Sequence, residues 1–114
     1  MPIANCVISP DYRNKPDRSK NLVLLWVQHS RISNAASEMT VNIICSSEQL
    51  GKKYMITANL MLPSVWSKVD VSSLQLGLAK ALSEYYSLSL DQILVATSII
   101  NAGNVVEKGK EITW

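Results

Sequence analysis

The chain has little of what most catalytic chemistries need. It holds one histidine, His29, which excludes a site built on several histidines, and no acidic or cysteine cluster lies near it in sequence. His29 reads as a helix-surface or partly buried residue, and no spacing of serine, histidine and aspartate supports a triad. Two cysteines, Cys6 and Cys45, sit in apolar segments and read as buried free thiols of a reducing compartment. Gly51, Gly103 and Gly109 fall in turns and form no phosphate loop. The longest solid apolar run, Leu22 to Val27, is far shorter than a membrane span, and no secretory signal opens the chain. A net charge of +2, with no basic run interleaved with aromatics, gives no footprint for nucleic acid. The expectation is a cytoplasmic protein with no metal, cofactor, membrane or nucleic-acid partner.

What is present is 114 residues, 47% hydrophobic, enough for one domain with a real core. Ile3–Ser9 reads as a strand stopped by Pro10. A polar loop with Arg13, Lys15, Arg18 and Lys20 follows, and Asp17 or Ser19 is the expected cap of a helix over 21–31. Asn34–Ser37 is a break, and Met39–Cys45 is the second strand. Tyr54–Leu62 alternates as a third strand and ends at Pro63. Asp70 is the expected cap of a helix whose Val71, Leu74, Leu78, Ala81, Leu82 and Tyr85 share a face. Gln92–Ile100 is the last strand, with a tail from Asn101 to Trp114.

Corresponding elements are offset by roughly 52 residues, so the chain reads as two tandem β-α-β units, about 2–50 and 54–104, in one domain over 1–114. A crossover helix makes the two strands of each unit parallel. The fold class is α/β (α+β in some schemes), a four-stranded sheet with two helices on one face. Its other face is expected to be open and apolar, and so to be buried by oligomerisation.

Pro2 follows an initiator methionine, and a small second residue normally lets that methionine be removed. The product has a ring-held secondary amine at its start, whereas an ordinary α-amino group titrates near pKa ~7.7–8.0. Burial and a neighbouring cation both push an amine down towards a general base's range. With Met1 retained, the same nitrogen is a tertiary amide with no basicity.

Met1-Pro2-Ile3-Ala4-Asn5 through Arg13, together with the tandem units, resembles the tautomerase superfamily. The start is similar to the 4-oxalocrotonate tautomerase family, and the two-unit length to the macrophage migration inhibitory factor family. In the latter, Leu82–Ile93 and Asn101-Ala102-Gly103-Asn104-Val105 resemble a helix end, strand and turn. The resemblance implies a homotrimer in which Pro2 is the catalytic base of a keto–enol isomerase acting on a small α-keto or enol acid. A decarboxylase or dehalogenase is open within the same chemistry. The alternative is a catalytically silent trimer that acts through interactions or ligand binding. Arg13, one position off the family's register, is the implied binder of the substrate carboxylate. The second family's pocket lysine falls on Asn34, and its tyrosine and asparagine on Leu94 and Ala96, so other cations must serve. Lys52 and Lys53, in the turn joining the units, are candidates, and Trp66 is a candidate for the pocket mouth.

Overall fold

The computed structural model describes the backbone of residues 1–114 and the side chains of all but positions 34 and 35. In chain order it contains β1 (Ile3–Ile8), α1 (Leu22–Ser30), a 3-10 helix (Ser33–Glu38) and β2 (Thr40–Cys45), then β3 (Ile56–Pro63), α2 (Lys68–Tyr86), a 3-10 turn (Leu90–Gln92) and β4 (Ile93–Ile100). A C-terminal hairpin, β5 (Val105–Glu107) and β6 (Lys110–Ile112), completes it. The main sheet runs β2-β1-β3-β4. β1 and β2 are parallel, as are β3 and β4, and the two β-α-β units meet through the antiparallel pair β1–β3.

Strand alternation builds the core. Ala4, Cys6 and Ile8 of β1, and Ile56, Ala58, Leu60 and Leu62 of β3, pack in one buried cluster with Leu25 and Trp26 of α1 and Leu74, Leu78, Ala81 and Leu82 of α2. Both helices therefore cover the same side of the sheet. The α2 face follows the sequence pattern, with Val71 and Tyr85 half-buried at its margins.

The helix caps differ from the sequence reading. Asn21 caps α1, its side chain accepting from the Leu24 amide at 3.2 Å. Asp17 is spent in a local turn, where its carboxylate accepts from the Ser19 amide at 3.1 Å. Ser67 caps α2 by accepting from the amide of Asp70 at 3.1 Å, which moves Asp70 into the first turn, where its charge favours the helix dipole. Both helices end on left-handed residues, Arg31 (φ 61°) and Ser87 (φ 55°).

The open face is not the apolar surface the sequence suggested. The register aligns Asn42, Asn5 and Asn59 in one row across three strands, and Asn42 Nδ2 donates to Asn5 Oδ1 at 2.8 Å. Thr57 and Ser98 share this face with Ile3, Val7, Ile44, Met61, Leu94 and Ile100. An apolar-to-polar count along one strand misses the row, because only inter-strand register brings the three amides together.

The cysteines also part company. Both are free, but Cys6 lies in the core and Cys45 is exposed at the end of edge strand β2, where burial had been expected for both. Burial pushes the Cys6 thiol up to about 11. Cys6 is therefore expected to resist a thiol–disulfide reagent at neutral pH until denaturant opens the core. Rapid labelling of Cys6 in the native protein, read by peptide mass mapping, would contradict this packing.

Candidate active site at the start of the first strand

Pro2 is fully buried, and its carbonyl accepts from the Thr40 amide at 2.9 Å, which ties the start of β1 to that of β2. Met1, bonded to the Pro2 nitrogen, lines a cavity of about 240 Å³. Pro63 at the end of β3 and Val65 just past it line this cavity, together with the hairpin residues Val105 and Ile112. Trp114 closes it, with its indole N–H donating to Ser64 Oγ at 2.8 Å. Two carboxylates, Glu38 at the end of the 3-10 helix and Glu107 on β5, complete the lining.

The hairpin makes this cavity, and it is where the sequence reading had only a tail. Lys108 (φ 53°) and Gly109 (φ 77°) form a two-residue loop with both φ values positive, the geometry whose twist matches the flanking strands. The signal was present: short apolar-containing segments flank a Lys-Gly pair. Glu38, Glu107, Val65 and Trp114, which line this cavity, do not stand out in the sequence, for want of that element and of the chain's return past Pro63.

The expected substrate binders lie elsewhere. Arg13 Nη1 donates to the Pro10 carbonyl at 2.9 Å, and Lys53 Nζ sits 3.6 Å from an Asp11 carboxylate oxygen. Lys52 stands 5.3 Å over the Tyr54 ring. These groups gather beyond the far end of β1, where the Ser9 amide meets the Met55 carbonyl. A six-residue strand, about 20 Å at ~3.3 Å per residue, separates that end from Pro2. The cause is the antiparallel β1–β3 junction, which points the loop after β1 towards the start of the second unit and the loop after β3 towards Pro2. At the repeat offset of 52, Arg13 corresponds to Val65, and it is Val65 that meets the cavity.

Trp66 does line a cavity, of about 330 Å³, but a different one, beside Lys68, Val71, Gln75 and Ile99 under the start of α2. Its indole nitrogen is buried with no hydrogen-bond partner among the described residues. Leu94 and Ala96 stand on the open face of β4, and the side chain of Asn34 lies outside the described residues. His29 is partly exposed on α1, 3.0 Å from Glu84, which also accepts from Lys20 at 2.8 Å. The Lys20 hydrogen bond first, then that of His29, holds the Glu84 carboxyl below its usual range. This network belongs to the outer helix surface. Tyr86 is kept from acting as an acid near neutrality, since burial raises its hydroxyl to about 12. Among the described residues no group of three histidine, cysteine or acidic side chains could hold a metal ion, and no helix is long and apolar enough to cross a membrane.

No family model matches the sequence, and no curated protein matches it. Solved structures do match its shape. A wild-type fused 4-OT, described as an asymmetric trimer, superposes with TM-score 0.75 at 14% identity, over 96% of this chain and 94% of that one. N1, a member of the cis-3-chloroacrylic acid dehalogenase family, gives TM-score 0.71 at 11% identity, over 96% of this chain and 82% of that one. Macrophage migration inhibitory factor from Oncomelania hupensis gives 0.65 at 10% identity, over 98% and 82%. At such identities the likeness shows the fold alone, which this chain shares with fused 4-OT, the cis-3-chloroacrylic acid dehalogenase family member and the macrophage migration inhibitory factor.

Proposed function

We propose that the chain is a tautomerase-superfamily protein in which Pro2, freed by removal of Met1, is the general base of a keto–enol isomerisation. The free amine takes a proton from the carbon α to a carbonyl, and the electron pair of that C–H bond passes into the enolate. The resulting N–H returns the proton at the other end, so no cofactor is consumed. The observation that carries this reading is the position of Met1. The residue joined to the Pro2 nitrogen lines a cavity, so its removal would open that nitrogen to the space Met1 vacates. The fused 4-OT likeness, itself a trimer, supports a homotrimer, as does the half-apolar open face. Two free thiols support the reducing cytoplasm as its location.

The test begins with intact mass, which reports whether Met1 is gone. In processed protein, Pro2→Ala is expected to lower ketonisation of phenylenolpyruvate by at least about 100-fold, the usual span of a positioned base. Undiminished turnover in that variant sinks the assignment. A second reading, a silent trimer that binds without turnover, is favoured by Leu94 and Ala96 standing where the family has a tyrosine and an asparagine. Retention of Met1 in the native protein selects it.

A further inference from the structure

The open face of the sheet is uncharged from edge to edge. Register sets it out in three rows across the four strands. Thr40, Ile3, Met61 and Ser98 form the first, Asn42, Asn5, Asn59 and Ala96 the second, and Ile44, Val7, Thr57 and Leu94 the third. The chain has eleven lysines and arginines and nine acidic residues, and none of them stands on these rows. A sheet face that stays in water carries polar and charged side chains along its strands, whereas the core of a protein interface is depleted of charge. Both helices pack on the opposite face, which leaves Asn42, Asn59 and Ile44 exposed on this one.

The middle row is built of amides. Asn42 Nδ2 donates to Asn5 Oδ1 at 2.8 Å, and among the described residues that is the row's one side-chain hydrogen bond. The remaining donors and acceptors of the three carboxamides are free for whatever covers the face. Carboxamides are self-complementary, since each both donates and accepts. The row ends on Ala96, the smallest side chain on the face, which leaves space beside Asn59 for an amide from outside the chain.

We infer that the Asn5, Asn42 and Asn59 row sets the register between copies of this chain, buried against the same row of a second copy. The flanking rows supply the apolar contact, with Ile3 and Met61 on one side and Val7, Ile44 and Leu94 on the other. A copy displaced by one row sets these amides against aliphatic side chains and buries them unpaired, so only the aligned arrangement satisfies them. A single buried asparagine fixes register in this way in coiled coils. A charged partner finds no countercharge on this face, and a wholly apolar one strands the amides. A second copy meets both demands. The inference rests on the proposed homotrimer for the number of copies only.

Asn59→Asp tests it, because position 59 is exposed in the single chain and the change keeps the side chain's shape while adding a charge to each copy. An unpaired charge buried in the interface is expected to weaken association by at least about 100-fold, read by light scattering across a dilution series, with far-UV circular dichroism unchanged. An N5L/N42L/N59L variant is expected to keep association and lose its uniqueness, so that native mass spectrometry resolves more than one stoichiometry. In the unsubstituted protein, the side-chain amide protons of Asn5 and Asn59 are expected to exchange more slowly with solvent as concentration rises through the association range. An oligomer that Asn59→Asp leaves intact overturns the inference alone, and so do side-chain amides that exchange at the free rate in the oligomer. One unchanged stoichiometry in the leucine variant removes the register role. A dimer that Asn59→Asp dissociates overturns only the homotrimer, and a protein that stays monomeric at millimolar concentration overturns both.

Discussion

Trp26→Ala is expected to destabilise the protein by about 3–5 kcal/mol, the range for deleting a large aromatic from a packed core. Trp26 is fully buried, and its indole N–H donates to the Leu74 carbonyl at 2.9 Å, which links α1 to the middle of α2. The α1 helix has only nine residues, too few to be stable alone, so its order depends on what it docks. Apart from Trp26, only Leu25 and Ser30 of that helix are buried. The indole thus supplies most of α1's buried volume and its bond to α2. Trp26→Phe keeps much of the ring and forfeits the hydrogen bond, whose net worth is about 0.5–1.5 kcal/mol, so it should cost distinctly less than alanine. Urea unfolding at one fixed protein concentration, with the slope checked for constancy, measures both. An unmoved midpoint for Trp26→Ala would mean that α1 is not held by this side chain.

Gly77→Ala should also destabilise, against the sign that helix propensity gives. In an unconstrained helix interior, alanine in place of glycine gains about 1 kcal/mol. Here a Cβ at position 77 would lie 2.7 Å from the Ser30 amide nitrogen, 2.8 Å from its Cβ and 2.9 Å from its Cα. These atoms belong to the last turn of α1, and the main-chain ones among them have no rotamer by which to withdraw. The helices must separate, and that movement strips contacts from Trp26 and Leu78 as well. Overpacking of this kind costs about 1–3 kcal/mol or more, so the expected net effect is a loss of about 2 kcal/mol. Gly77→Val should lose more. A stabilised Gly77→Ala would show that the two helices do not approach this closely. Ser30→Gly is not expected to rescue it, because the Ser30 nitrogen and Cα remain in the way.

Neither position stood out in the sequence for the reason it matters. Trp26 read as one residue of the solid apolar run Leu22 to Val27, and Gly77 has no turn chemistry around it. Their importance comes from each other's helix, and that proximity is set by tertiary packing. The caps tell the same story at shorter range. Asp17, Ser19 and Asn21 are all chemically able to cap α1, and the choice fell to Asn21 because Asp17 folds back on Ser19. Ser67 took the α2 cap from Asp70 in the same way, three residues earlier.

The candidate site shows where local reading stops. Pro2 is proposed from the resemblance and from its neighbour Met1 on the cavity wall. Its companions on that cavity are not legible in the sequence, because they come from the end of the 3-10 helix, the return past Pro63 and a C-terminal hairpin. Arg13, Lys52 and Lys53 carry the charge a carboxylate needs and stand at the end of β1 away from Pro2.

Composition, periodicity and the repeat by themselves determined two β-α-β units with parallel strands inside each, since the apolar, β-branched run Ile3–Ser9, the alternation of Tyr54–Leu62 and the helical face of α2 are local properties of the chain. Tertiary structure decided how the units join. The antiparallel contact of β1 with β3 aligns three asparagines across the open face, turns the basic loop away from Pro2 and brings Val65 towards it. That contact links residues about fifty positions apart, and its register is fixed by burying Ala4, Cys6 and Ile8 beside Leu60, Ala58 and Ile56 against the helices.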